Sequence, residues 1–208
     1  MKRLYVLALA GLAVSTTVEA QNPDGRFMIR VRALSLTPAD KSDAIASPAV
    51  PADAITVSDK IFPEVDLSYF LNKSWAVELV LTYPQQHDVK LSGTKIGTFK
   101  HLPPSLLLQY HLLPSAKFRP YVGAGGNLTL ISDVALNVPG VGALTLDDAS
   151  VGFALQGGAD IDLGGKGWFL NLDAKYVTIG SDVKAGSTKI SAVQVNPILL
   201  SAGLGVRF

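Results

Sequence analysis

Three histidines, His87, His101 and His111, and a same-face carboxylate pair, Asp160 and Asp162, are the residues best placed by type for acid–base or metal chemistry. The histidine spacing fits neither a metal-ligand motif nor a catalytic triad. His111 reads as a hydrogen-bonded packing residue. Asp160 and Asp162 fall two positions apart, as paired catalytic carboxylates would on a strand. Arg30, Arg119 and Lys175 are available to them, so a structural ion-pair reading is favoured over general acid–base work. The stretch "VGAGG" has the glycines of a nucleotide loop but not the strand–turn–helix setting such a loop needs. The expectation is therefore no enzyme, no cofactor and no metal.

The elements that carry these residues follow from the rest of the 208-residue chain. "MKRLYVLALAGLAVSTTVEA" has Lys2 and Arg3, an apolar run from Leu4 to Val14 and a small-residue end. This is the layout of an export leader over residues 1–20, cleaved after Ala20. Its run is too short to span a bilayer as a helix. The remaining residues, 21–208, have a formal charge of zero and no cysteine. No basic field is present to attract nucleic acid, and stability must come without disulfides. Hydrophobic residues make up 48% of the chain and mean hydropathy is +0.31, yet after the leader no stretch is continuously apolar. Export, apolar bias and alternation together suit an all-β fold: an eight-stranded antiparallel transmembrane β-barrel of the outer-membrane type.

Period-two reading places strands at Arg26 to Leu36, Ile61 to Leu71, Trp75 to Tyr83, His101 to Leu112, Phe118 to Ile131, Ser150 to Leu163, Trp168 to Ile179 and about Val195 to Phe208. One face of each is apolar and lacks charge in its centre, as a lipid-facing wall requires. A soluble β-sandwich would carry charges there. Short connections after the even strands and long polar ones after the odd strands put both termini on the periplasmic side. Tyr69, Trp75, Tyr110, Trp168 and Phe208 cluster near the short-turn end as an aromatic girdle. Tyr83 and Tyr176 serve the other interface.

The opposite face points into a barrel only just wide enough for its side chains. Low on it fall Arg30, Arg32, Glu64, Asp66, Glu78, Arg119, Asp160, Asp162, Asp173, Lys175 and Arg207, five cations against six carboxylates. These should pair into a lumen plug, because unpaired buried charge is costly. Higher up, the inward residues become apolar: Leu34, Phe62, Pro103, Leu107, Ile131, Val177, Ile179, Val195 and Leu199. They read either as ordinary packing of a narrow barrel or as a pocket for small hydrophobic molecules. Pro103 and Pro104 remove two adjacent backbone donors, so a lateral gap in the wall is expected beside them.

The segments "KHLPPSLLLQY" and "KFRPYVGAG", supported by "FMIRVRALSLTP", "SWAVELVLTYP" and the closing "SAGLGVRF", resemble the OmpW family of outer-membrane proteins, which includes the alkane-uptake relative AlkL. The resemblance implies a narrow hydrophobic channel that takes up small apolar solutes and releases them sideways into the membrane. It also implies assembly guided by the C-terminal strand, with Phe208 as the signal read by the barrel-assembly machinery. The motif residues carried over are His101, Leu102, Pro103 and Pro104, with the region around Arg119 and Tyr121. Expected surroundings are the lipid of a Gram-negative outer membrane and small hydrophobic solutes, with the protein a monomer. The alternative is a non-transporting structural or receptor barrel.

Overall fold

The computed structural model describes residues 25–45, 50–164 and 167–208; the expected leader lies outside them. Fifteen strands form one antiparallel sheet. In chain order they are β1 (Phe27–Thr37), β2 (Lys41–Ser42), β3 (Ile55–Val57), β4 (Lys60–Phe70), β5 (Trp75–Leu81), β6 (Gln85–Leu91), β7 (Thr94–Leu102) and β8 (Ser105–His111). Then come β9 (Phe118–Val138), β10 (Gly142–Leu146), β11 (Ala149–Asp162), β12 (Trp168–Val177), β13 (Gly180–Ala185), β14 (Thr188–Gln194) and β15 (Ile198–Arg207).

Eight of them close the membrane barrel in the order β1-β4-β5-β8-β9-β11-β12-β15. Closure is by β1 against β15, from Met28 opposite Arg207 to Thr37 opposite Ile198. At its foot Phe27 and Phe208 exchange both backbone hydrogen bonds, at 2.9 and 2.8 Å. The terminal aromatic is thus part of the ladder, and the β1–β15 seam leaves no edge open to lipid. Alternation sets the faces. Val31, Leu106 and Leu200 are each more than half exposed, which in water would be an aggregation hazard and in hydrocarbon is the favourable arrangement. Phe27 sits beside Tyr69, and Trp75 beside Tyr110, with ring centroids 5.1 and 4.8 Å apart at the short-turn end. There the Asn72 side chain accepts from the Ser74 and Trp75 amides, both at 2.9 Å, closing the "NKS" turn.

The long connections, expected as loops, are instead an extracellular second tier. β3, β6, β7, the upper part of β9, β10, β13, β14 and β2 pair in that order. The ring is drawn together where the Asp53 amide donates to the Ser42 carbonyl at 2.9 Å. In the β6–β7 hairpin, Ser92 and Gly93 both take positive φ, 49° and 83°, the handedness a two-residue hairpin turn requires. Of the wall strands, β9 alone runs through both tiers without a break, over 21 residues.

This tier corrects the fourth predicted strand. His101 and Leu102 belong to β7, and the barrel strand begins at Ser105. Two successive prolines withdraw two ladder donors, so the chain cannot continue as one strand through Pro103 and Pro104.

Candidate functional site: the lumen and its wall

Inside the lower barrel the charged residues form one connected network. Arg30 and Arg32, inward neighbours on β1, reach across to the carboxylates of β4, β5, β11 and β12. Arg30 makes a two-pronged contact with Asp160, Nε to Oδ1 at 3.0 Å and Nη2 to Oδ2 at 2.7 Å. Its Nη1 also meets Asp66 at 3.1 Å, Glu78 at 3.3 Å and Ser68 Oγ at 2.8 Å. Arg32 Nη2 lies 2.7 Å from both Glu64 and Asp66. Lys175 donates to Glu64 at 2.9 Å and to Asp173 at 2.8 Å. All of these side chains are buried.

Neutral groups complete it. Tyr121 OH donates to Asp173 at 2.8 Å, Asn171 Nδ2 to Asp160 at 2.9 Å, and Gln156 Nε2 to Glu78 at 2.8 Å. Charges held in this way are compensated by geometry rather than by water. Glycines make the room. A Cβ on Gly205 would lie 3.0 Å from Arg30 Cγ, and one on Gly158 2.5 Å from the Tyr121 ring. Changing Gly158 to Val should therefore push Tyr121 off Asp173 and lower stability by about 1–3 kcal/mol, as overpacking does. A denaturant titration of the micelle-bound barrel checks this.

The remaining predicted plug residues sit at the periplasmic mouth. Arg119 pairs with Asp162 at 3.4 Å and lies over Phe169. Arg207 stacks on the Phe70 ring at 3.6 Å and donates to the Gly25 carbonyl at 2.6 Å. His111 packs between Phe70 and Tyr121 and faces Gln109.

Above Glu64 and Lys175 the interior turns apolar. Leu34, Phe62, Leu107, Ile131, Val177, Ile179, Val195 and Leu199 are all buried and join one cluster that continues into the upper tier through Val57, Val89, Phe99, Leu136 and Val193. The packing is close. A cavity of about 20 Å³ lies over the plug, touched by Leu34, Phe62, Leu107's neighbour Ser105, Pro103, Pro197 and Leu199. Another of about 40 Å³ lies in the upper tier. Each has room for roughly one water, so a solute must move side chains or the upper tier to pass.

The wall is interrupted next to that lower cavity. The β5–β8 ladder ends at Val80 opposite Ser105, and pairing resumes only at Gln85 opposite His101. Residues 81–84 and 102–104 face each other with no ladder between them. Thr82 on one side and Pro103 on the other both line the cavity. Pro103 and Pro104 are tied on their other flank to β9. Asn127 Nδ2 donates to both carbonyls, at 3.2 and 3.1 Å, and the Leu128 amide to Pro104 at 3.0 Å. Asn127 escaped the sequence reading, although its inward parity after "GAGG" was the available signal.

His87 is one of the three histidines whose spacing in the chain fits no metal-ligand motif or triad. It lies beside His101 in the upper tier, ring centroids 4.6 Å apart and both rings buried. Burial, with His87 adjacent, pushes the His101 imidazole down to about 3; burial also lowers His87. Both are neutral at ordinary external pH. Among the described residues no group of three or more His, Asp or Glu is arranged to hold a metal ion.

A barrel closed by its terminal aromatic, plugged by ion pairs below and apolar above, can be compared with known proteins. The OmpW family model matches residues 23–208. The chain belongs to the OmpW family. It is 31% identical to outer membrane protein W of Vibrio cholerae, over 96% of this chain and 98% of that one. It is 30% identical, over 76% and 77% of the two chains, to the dibenzothiophene metabolism operon protein DoxH of Pseudomonas sp. strain C18. Among solved structures, OprG of Pseudomonas aeruginosa superposes with a TM-score of 0.78 at 27% identity, covering 90% of this chain and 98% of that one. As an OmpW family member, this protein is an outer-membrane β-barrel of a Gram-negative bacterium, and its relatives are outer-membrane barrel proteins.

Proposed function

We propose that this OmpW family member is a passive, non-catalytic conduit for small hydrophobic molecules. They enter through the apolar interior of the extracellular tier and leave sideways into the outer leaflet, between residues 81–84 and 102–104. The observation that carries this reading is the apolar cavity that reaches Thr82 and Pro103 while its floor is closed by Glu64 and Lys175. A solute held there meets ion pairs below and a break in the wall beside it. Partition into hydrocarbon supplies the direction, at about 0.8 kcal/mol per CH₂ transferred from water. Kinship with a protein named for a dibenzothiophene operon is consistent with a fused-ring aromatic as one solute. The protein works as a monomer whose partners are outer-membrane lipid, the solute and, during biogenesis, the barrel-assembly machinery.

Two tests bear on it. Replacing Leu107 and Leu199 together with Asp should reduce uptake of dibenzothiophene at least tenfold in cells that carry normal amounts of folded protein. Unchanged uptake would place the route elsewhere. The chain has no cysteine, so Thr82→Cys with Pro103→Cys introduces one defined disulfide across the break. Uptake should fall on oxidation and return on reduction. Equal uptake with and without the wild-type protein, over several hydrophobic compounds, would leave a structural or receptor barrel.

A further inference from the structure

We propose that His87 and His101 form an open two-imidazole site for a divalent transition metal ion, of which copper(II) is the best fit. The β6–β7 pairing puts Gln85 opposite His101 and His87 opposite Phe99. The two histidines are therefore diagonal neighbours on the inward face of one hairpin. His87 Nδ1 contacts the Ser58 carbonyl at 2.8 Å. A carbonyl only accepts, so Nδ1 carries the proton and Nε2 presents a lone pair. A ring nitrogen that donates to a backbone carbonyl while the other faces inward is the outer-shell arrangement of a metal-binding imidazole.

His87 Nε2 and both ring nitrogens of His101 are buried and have no hydrogen-bond partner in the protein. Buried polar atoms are seldom left this way, and a metal that takes one lone pair from each ring accounts for two of the three, the remaining His101 nitrogen carrying its proton. A metal about 2.0–2.1 Å from one nitrogen of each ring, at close to a right angle, would hold the ring centroids about 4.5 Å apart. The observed separation is 4.6 Å. Imidazole suits copper, nickel and zinc, and a cis right-angle pair suits tetragonal copper(II). With no third His, Asp or Glu grouped there among the described residues, and with both rings buried, the waters that complete the shell must enter with the ion as the upper tier opens. The site is expected to bind in the micromolar range rather than as a permanent structural centre. Bound metal would tie β6 to β7 directly above the break in the wall.

The test uses the full protein refolded in detergent micelles and titrated with copper(II) chloride under electron paramagnetic resonance. The expected result is one bound copper with nitrogen hyperfine splitting. His87→Asn and His101→Asn should each weaken binding at least tenfold, and His111→Asn should leave it unchanged. Equal binding by a folded His87→Asn/His101→Asn double variant, or no nitrogen splitting in the wild type, would overturn the assignment. Should those variants fail to fold, zinc titration of wild-type protein labelled with ¹⁵N-histidine decides. The His87 and His101 ring nitrogens should shift while His111 stays; uniform or absent shifts would refute the site.

Discussion

Replacing Arg30 with Met is expected to lower the unfolding free energy of the barrel by about 3–5 kcal/mol, the range for removing one partner of a buried ion network. Arg30 is fully buried and touches Asp160, Asp66, Glu78 and Ser68. Met fills much the same volume, leaves Asp160 without its cation, and leaves Asp66 and Glu78 to share Arg32. Lysine should recover only part of the loss, because an ammonium cannot reproduce the two-pronged contact with Asp160. Urea unfolding in micelles, followed by tryptophan fluorescence, measures each. The double variant Arg30→Met with Asp160→Asn should be less damaged than Arg30→Met alone. Additive losses would mean that the network does not act as a unit.

The second large effect belongs to the opposite face. Leu204 lies on the lipid side of β15, half exposed, opposite Val31 and Leu170. It is four residues above Phe208, about 10 Å up a tilted strand and so near the middle of an apolar band about 25 Å tall. Leu204→Arg should cost about 2–4 kcal/mol of membrane insertion. Its inward neighbour Ser201 offers a control, because polar substitution there leaves the lipid face untouched. In lipid vesicles the folded, heat-modifiable band should decline sharply for Leu204→Arg and much less for Ser201→Thr. Equal folding of Leu204→Arg would mean that this face of β15 does not meet hydrocarbon.

Parity made most of this molecule readable before its structure. Arg30, Asp66 and Glu78 sit inside, and Leu67, Leu108 and Leu172 outside, because a strand in a one-layer wall has only two sides and each has its own solvent. What parity could not reveal was pairing beyond the membrane. The tier strands are short and broken by Gly, Pro and Asp, so "GTKIGTFK" and "TKISAVQ" look like loop. Their alternation is legible only once β9 is known to run on to Val138 and offer an edge. The same blindness carried a strand straight through Pro103. Contact between His87 and His101 was hidden for a related reason. Thirteen residues lie between them in the chain, and only the register of the "LSGT" hairpin brings them together.

One consequence follows from the continuity of β9. Every other stave of the wall is cut between the lower and upper rings, by residues 82–84, 103–104, 147–148, 178–179 or 195–197 among others. β9 is therefore the mast of the molecule. If the crown tilts as a rigid body about it, the lower cylinder keeps its ladder and its charges undisturbed, and access to the greasy interior widens on the side away from the mast.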